Sequence, residues 1–161
     1  MHARLATIDD AEATRAIYNL EVTESTVTFD LVPRTLEQQQ AYLVARSGAH
    51  AVLVAEVDDE VVGFASFSPY RDRPAYSTTV EDSVYVRRDQ QGKGVGKLLL
   101  GELVALARSH GFHAIVARIV GGHDASIALH RALGFEFVGT EREVGRKFGR
   151  WLDVDVMQLL L

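Results

Sequence analysis

The segment VYVRRDQQGKGVGKLLL, residues 84–100, constrains the fold of this chain more than any other stretch. Apolar residues alternate up to Val86 as in a β-strand, and three glycines then stand at alternate positions, Gly92, Gly94 and Gly96. The apolar residues that follow share one helical face, which predicts a helix from about Gly94 to His110 that ends at Gly111. Free N–H groups at the start of such a helix favour an anion, and glycine lets the backbone approach a phosphate. A tight strand-to-helix turn that binds nothing would show the same pattern.

Two common nucleotide-binding motifs do not fit this loop. A dinucleotide-binding fingerprint needs the spacing G-x-G-x-x-G, whereas the glycines here are spaced G-x-G-x-G. A P-loop needs glycine at position 91 and serine or threonine after Lys97, but these positions hold Gln91 and Leu98. The loop therefore predicts an anion site of another kind.

The charge pattern points to a small polyanion. The net charge of −5 argues against a general nucleic-acid-binding protein, yet four cations cluster around the glycine loop: Arg87, Arg88, Lys93 and Lys97. The chain has no cysteine, no apolar run of about 20 residues and no apolar core near its N-terminus, so we expect a cytoplasmic protein that is not bound to a membrane. His110 and His113 straddle Gly111 without a third ligand nearby, and we expect no metal site.

Periodicity and turn residues predict the order β-α-α-β-β-β-α-β-α-β-β within one domain, residues 1–161. The first helix begins after Asp9 or Asp10, with Glu12 as a capping-box partner of Asp9, and the second runs from Thr35 to about Ser47. The other predicted elements are strands at 2–7, 51–57, 61–70, 78–86, 113–120, 135–144 and 149–161 and a helix at 124–133. Hairpins and one βαβ crossover in the same chain predict an α/β (α+β) fold with a mixed sheet.

The run Gln91–Gly96 resembles the Q/R-x-x-G-x-G/A motif of the GNAT superfamily of acetyl-CoA-dependent N-acetyltransferases. Four segments in the same order, TVEDSVYV, QGKGVGKLLL, ASIALHRALGF and GRKFGRWLDV, are similar to the phosphinothricin and methionine sulfoximine acetyltransferase branch. The resemblance implies a single GNAT-like domain with a twisted, mostly antiparallel sheet of about seven strands and about four helices.

The resemblance also implies where acetyl-CoA binds. The pantetheine arm is expected on the backbone of Val84, Tyr85 and Val86, beside the helix that carries Ser126. The pyrophosphate is expected on the loop residues Gln91, Gly92, Lys93, Gly94, Val95, Gly96 and Lys97. The branch usually has an asparagine before the ASIALH-type helix that helps to hold the cofactor. His123 stands there in this chain, and it is expected to contact acetyl-CoA together with Ser126.

Two catalytic residues follow from the same resemblance. Glu81 matches the glutamate of the branch's TVE segment and is expected to take the proton of the attacking amine, with a pKa that burial raises. On its residue type alone, Glu81 would instead be a solvated acid on a strand. His130 is expected either to donate to the departing thiolate or to belong to the hydrogen-bond network of the site, and the alternative is a histidine packed between helix and sheet.

The expected amine pocket lies in two loops. Phe29 resembles an aromatic residue that shapes the pocket, and Arg73 suits a substrate carboxylate or phosphinate, with Pro74, Ala75 and Tyr76 at the same mouth. Core packing for Phe29 and a solvated charge for Arg73 are the alternatives. Lys147, Trp151 and Asp153 match the branch's final hairpin, and a homodimer is expected.

The predicted activity is transfer of an acetyl group to the amine of a small amino acid of the phosphinothricin or methionine sulfoximine type. Acetylation of a protein N-terminus, an antibiotic or a polyamine is a second possibility within the same fold. A CoA-binding protein without turnover is a third.

Overall fold

Seven strands and four α-helices follow one another in the predicted order, in a computed structural model that describes residues 1–161. The strands are β1 (His2–Leu5), β2 (Val52–Val57), β3 (Glu60–Pro69), β4 (Thr79–Val86), β5 (Ala114–Val120), β6 (Glu136–Lys147) and β7 (Arg150–Leu160). The helices are α1 (Ala11–Glu24), α2 (Leu36–Val44), α3 (Val95–Ser109) and α4 (Asp124–Ala132). The predicted fold class, with its mixed and mostly antiparallel sheet, is confirmed.

The sheet has the strand order β1-β2-β3-β4-β5-β7-β6, and only β4 and β5 run parallel. Their pairing is short, because it joins Thr79–Glu81 to Ala114–Val116 and then stops. Beyond Glu81, β4 remains paired with β3 up to Val86, while β5 remains paired with β7 up to Val120. The sheet is therefore open in its middle and continuous on both sides of the opening.

Helices cover both faces of this sheet. The apolar stripe of α3 is fully buried at Leu99, Leu100 and Leu103, which pack with Phe67 and Ile115 of the strands. On the other face, α1 buries Ile17, Tyr18 and Val22 against Val54 and Phe64. Burying one such side chain contributes about 1.5–3 kcal/mol, so the α3 stripe fixes the position of the glycine loop that precedes it.

The prediction for the cap of α1 is right in position and wrong in its hydrogen bonds, because Asp10 is the N-cap residue but its side chain does not cap the helix. A 3₁₀ turn, Ile8–Asp10, precedes the helix, and Asp9 and Glu12 form no capping box. The carboxylate of Asp10 instead accepts hydrogen bonds from the Thr7 N–H at 2.7 Å and from the Arg4 guanidinium at 2.8 Å. Glu12 is paired with Arg15 one turn later. Arg4 of β1 therefore binds the carboxylate of Asp10, which the local sequence pattern predicts as a cap of the helix.

Other boundaries differ by a few residues. Thr35, where the second helix is predicted to start, is the N-cap residue of α2 and forms a capping box with Gln38. The helix ends at Val44 and not near Ser47, which is extended and precedes another turn. Strand β6 extends to Lys147 instead of residue 144, through two register shifts that break the alternation of its side chains. Phe148 and Gly149, both with positive φ, form the tight turn to β7. None of the helices is long and apolar enough to cross a bilayer.

Candidate active site

A cleft with a volume of about 460 Å³ opens where β4 and β5 separate. Its walls come from the second half of each strand, the glycine loop, the start of α3 and one side of α4, from Ala125 to His130. The predicted cofactor residues that line it are Val84, Tyr85, Val86, Gln91, Gly92, Gly94, Gly96, Lys97, His123 and Ser126. Lys93 and Val95 do not, since Lys93 is exposed beside Gln90 and Val95 is buried in the core.

The edge of β4 presents backbone groups to this cleft. The N–H of Arg87 donates to Val62 of β3 at 2.8 Å, so strand alternation turns the backbone groups of Val84 and Val86 away from β3. These backbone groups face the cleft, where β5 no longer pairs with β4. The Val86 carbonyl accepts a hydrogen bond from Gln91 Nε2 at 3.2 Å, and this contact ties the loop to the strand edge. An extended arm with amide groups can therefore bind along β4 as an additional strand would.

The Tyr85 side chain points to the opposite face. It stacks on Phe64 with ring centroids 5.2 Å apart and contacts the Tyr18 ring edge-on at 5.0 Å. Burial in this aromatic cluster raises the pKa of the Tyr85 phenol well above its usual range. The Tyr85 side chain is thus turned away from the cleft, and by strand alternation its backbone N–H and C=O groups face β3, so the free backbone groups at this edge belong to Val84 and Val86.

The glycine loop provides an anion site and also a packing contact. Gly92 and Gly94 have positive φ angles of 74° and 90°, which residues with a side chain rarely adopt. Helix α3 begins directly after Gly94. Gly96 serves another purpose, because a Cβ there would lie 3.1 Å from Leu129 of α4. Lys97 lines the cleft next to the helix N-terminus, where the helix dipole and the lysine both favour negative charge.

At the far side of the cleft, His123 precedes α4. Its Nε2 is hydrogen-bonded to Thr26 Oγ1 at 2.9 Å, a contact between residues 97 positions apart in the chain. Burial lowers the pKa of His123, against the opposing effect of the nearby acids Glu21 and Asp124. Its ring is therefore neutral near pH 7.

His130 forms a buried hydrogen-bonded pair with Asp82 in the wall of the cleft. Its Nε2 is 2.9 Å from Asp82 Oδ2 and its Nδ1 is 2.7 Å from the Ser126 carbonyl, while both side chains of the pair are almost completely buried. A carbonyl only accepts, so Nδ1 carries a proton. Burial alone would lower the pKa of His130, but the hydrogen bond and charge of Asp82, together with the Ser126 carbonyl, raise it overall.

Sequence reasoning missed Asp82, although a signal for it exists. Along β4, Val80, Asp82 and Val84 share the face that packs on the larger apolar cluster. An acid at an inward-facing position of a strand needs a buried partner, because an unpaired buried charge is costly. The identity of that partner depends on the fold, since His130 is 48 residues away in the chain. The second carboxylate oxygen, Oδ1, is buried without a hydrogen-bond partner.

Glu81 lies at the apex of the cleft, in the last residue pair that joins β4 to β5. Its side chain is half-buried on the face opposite Asp82 and does not line the cleft itself. Burial raises the pKa of the Glu81 carboxyl; Arg118 opposes this effect, while Asp82 and Glu141 add to it. Arg118, which does line the cleft, is ion-paired with Glu141 of β6.

The predicted amine-pocket residues lie outside the cleft lining, on the loop between α1 and α2 and the loop between β3 and β4. The Phe29 ring, 38% exposed, lies on the backbone of Gly145, where a Cβ would be 2.4 Å from two ring atoms. Arg73 is exposed and precedes the 3₁₀ turn Pro74–Tyr76, which ends three residues before β4. Tyr76 contacts Tyr70 edge-on at 5.4 Å. The structure contains no cluster of three or more histidine, aspartate or glutamate side chains able to hold a metal ion.

Comparison with known proteins agrees with this geometry. Residues 14–135 match the sequence profile of the acetyltransferase (GNAT) family. The chain is 44% identical over 160 residues to an L-methionine sulfoximine/L-methionine sulfone acetyltransferase of Pseudomonas paraeruginosa, an alignment that covers 98% of this chain and 93% of that protein.

Two solved structures extend the likeness to three dimensions. A ribosomal-protein-alanine N-acetyltransferase from Brucella melitensis has a TM-score of 0.97 and 42% identity, with complete coverage of both chains. A phosphinothricin acetyltransferase from Sinorhizobium meliloti in complex with acetyl-CoA has a TM-score of 0.94 and 38% identity, covering 99% of this chain and 87% of that one. The resemblance seen in the sequence is confirmed, and the chain belongs to the acetyltransferase (GNAT) family.

Proposed function

We propose that the protein transfers the acetyl group of acetyl-CoA to the α-amino group of a small amino acid such as methionine sulfoximine, methionine sulfone or phosphinothricin. The observation that carries the proposal is the separation of β4 from β5 directly after Glu81, a carboxyl group whose pKa is raised. Relatives with these activities, at 44% and 38% identity over nearly the whole chain, support the choice of substrate class.

The residues around the cleft fit acetyl-CoA. The backbone groups of Val84 and Val86 bind the amide-bearing arm, and the N-terminus of α3 with Lys97 binds the pyrophosphate. Positive φ angles at Gly92 and Gly94 keep Cβ atoms out of this cradle. When bound, acetyl-CoA supplies an acyl group activated as a thioester.

Glu81 prepares the amine for attack. A free α-amino group has a pKa of about 7.7–8.0 and is mostly protonated at neutral pH, so it must lose a proton before it attacks. The Glu81 carboxylate takes this proton, directly or through a water, and its raised pKa makes it a better base than an ordinary glutamate. The amine nitrogen then bonds to the carbonyl carbon, and the carbon–sulfur bond breaks. The second proton released by the nitrogen neutralises the departing thiolate.

His130 is assigned to the hydrogen-bond network in the cleft wall rather than to direct proton donation. Both of its ring nitrogens already have partners, Asp82 and the Ser126 carbonyl, and donation to a thiolate would break one of these buried bonds. The pair instead holds α4 against β4 next to the point where the sheet opens.

Recognition of the amine is assigned to the two loops that carry Phe29 and Arg73. Arg73 pairs with the carboxylate or phosphinate of the substrate, since its planar guanidinium matches two oxygens. Phe29 and the turn Pro74–Tyr76 form the boundary of the side-chain pocket.

A homodimer in the cytoplasm completes the proposal. Its support is the absence of cysteine and the exposure of large apolar side chains of the kind that subunit contacts cover: Leu31, Val32, Phe148 and Trp151. Sedimentation velocity that shows only a monomer would contradict the dimer.

A thiol-release assay with acetyl-CoA and a panel of amines tests the substrate class. We expect release with methionine sulfoximine, methionine sulfone or phosphinothricin, and none with polyamines. Turnover of an alanine-terminated peptide alone would favour the second candidate, protein N-terminal acetylation, to which the Brucella melitensis structure at 42% identity gives independent support. Binding of CoA without turnover of any amine would contradict both.

A further inference from the structure

Residues 25–30, called the strap here, connect the end of α1 to the amine-pocket residue Phe29 and are held at several points. Tyr18 Oη lies 3.0 Å from Thr28 Oγ1 and donates to Asp30 at 2.5 Å. The buried Lys147 ammonium donates to the Thr28 carbonyl at 2.8 Å. The Phe29 ring is seated on Gly145 of β6. These contacts fix the second half of the strap to α1 and β6.

The first half of the strap is hydrogen-bonded to a residue of the cleft wall. The only side-chain hydrogen bond from the strap to α4 or its N-terminal residue is that between Thr26 Oγ1 and His123 Nε2, at 2.9 Å. His123 and the strap residue Val27 both line the cleft. The strap therefore forms part of the cleft wall at one end and carries Phe29 at the other.

The two nitrogens of His123 have different surroundings. Nε2 is bound to Thr26, whereas Nδ1 has no hydrogen-bond partner within the protein. When the Thr26 hydroxyl donates to Nε2, the proton of the neutral ring must lie on Nδ1. The ring then offers one N–H donor to a ligand in the cleft while it holds the strap with its other nitrogen.

We propose that His123 is a positioning residue that binds acetyl-CoA through Nδ1 and the strap through Nε2, and so couples occupation of the cleft to the placement of Phe29 in the amine pocket. This inference rests on the proposed function, because it concerns how the amine site is formed. In this proposal, the His123 side chain links the acetyl-CoA site to the strap that carries Phe29 of the amine site.

Two substitutions of His123 separate its two contacts. The shorter side chain introduced by H123N places its amide near the position of Nδ1 and does not reach Thr26, while the longer side chain introduced by H123Q places its amide near the position of Nε2. T26V removes the strap contact without touching His123, and T26S keeps the hydroxyl as the matched control. The measurements are the KM for methionine sulfoximine and the KM for acetyl-CoA.

We expect T26V and H123N to raise the KM for the amine about threefold to tenfold, as loss of one hydrogen bond does, with the KM for acetyl-CoA within about twofold of the wild type. H123Q should do the reverse, and T26S should resemble the wild type. The double variant T26V/H123N should be no worse than either single variant, because both remove the same bond. An unchanged amine KM in T26V, or multiplied effects in the double variant, would overturn the proposal.

A second measurement does not depend on turnover. Hydrogen exchange of the strap amides should slow when CoA binds to the wild type, and this protection should be lost in T26V and kept in T26S. If the wild type acetylates no amine of the panel but shows this pattern, the proposed substrate is wrong and the coupling stands. If the wild type turns over but CoA leaves strap exchange unchanged, the coupling is wrong and the proposed function stands.

Discussion

Glu81 and Asp82 are consecutive acids on β4, and strand geometry sends their side chains to opposite faces of the sheet. Asp82 is buried and bonded to His130 at 2.9 Å. Glu81 is half-buried, and its carboxylate forms neither an ion pair nor a hydrogen bond. Burial without a partner raises the pKa of Glu81, and the nearby Arg118 only partly offsets this.

The difference shows that proximity to the cleft does not by itself define a base. An acid that is already bonded to a buried cation holds two elements together, and protonating it would leave that cation unpaired. An acid that is desolvated and unpaired gains from taking a proton. The face that carries Glu81 is therefore suited to proton transfer, and the face that carries Asp82 is suited to structural support.

The largest expected effect is on catalysis by the Glu81→Gln variant. The amide introduced by this substitution cannot accept a proton, so kcat should fall by about 10²–10⁴-fold, whereas acetyl-CoA affinity should remain unchanged because Glu81 does not line the cleft. Steady-state kinetics and calorimetric titration of acetyl-CoA check both parts.

Glu141→Gln is the matched control for Glu81→Gln, since it removes a neighbouring carboxylate that pairs with Arg118 but lies on β6. It should retain most of the activity. In the wild type, kcat/KM should fall with decreasing pH through a pKa above the ordinary glutamate value, because burial raises the pKa of Glu81. Near-normal turnover in Glu81→Gln would assign the proton transfer to another group.

The next largest effect is on stability in the Asp82→Asn variant. This change keeps the shape of the side chain but removes the charge that stabilises the buried His130 imidazolium, and it should lower the free energy of unfolding by about 2 kcal/mol near pH 6. Urea denaturation measures this. A loss confined to kcat, with unchanged stability, would contradict the structural role of the pair.

Much of this architecture was predictable from the sequence, because its signals are local. The apolar stripe of α3, the bounding residues Gly94 and Gly111, and the β2–β3 hairpin depend on spacings of a few residues, and the structure agrees with them to within about two residues. The cap of α1 was not predictable, because Arg4 of β1 competes for the carboxylate of Asp10.

The side-chain pairings within the candidate site could not be predicted from local sequence patterns. Asp82 and His130 are 48 residues apart, and Thr26 and His123 are 97 apart. Their contacts depend on how α4 and the strap dock on the sheet, which no spacing in the chain encodes. The catalytic and substrate-binding roles stay predictions, and they concern Glu81, His130, Arg73 and Phe29.

A smaller effect concerns the free energy of unfolding, whose difference between Asp82→Asn and the wild type should depend on pH. Asp82 raises the pKa of His130 in the folded state, so the stabilisation is fully present below the unfolded value of about 6.5 and is lost as pH rises through the folded value. The difference in unfolding free energy should thus be larger at about pH 6 than at about pH 9. A difference that does not vary with pH would mean that His130 stays neutral and that the bond to Asp82 is not an ion pair.

The smallest effect has the opposite sign and concerns the stability of Glu81→Gln. A carboxyl group with a raised pKa in the folded state costs stability as pH rises above its unfolded value, because the folded protein holds the proton more tightly than the unfolded chain does. Replacing Glu81 by the uncharged glutamine removes this cost, and at pH 7 the variant should be slightly more stable than the wild type while it loses activity. At about pH 4 the gain should disappear, because the wild-type carboxyl is then protonated in the folded protein. A loss of stability at pH 7 would show that Glu81, like Asp82, contributes to holding the sheet together, and the contrast between the two faces of β4 would fail.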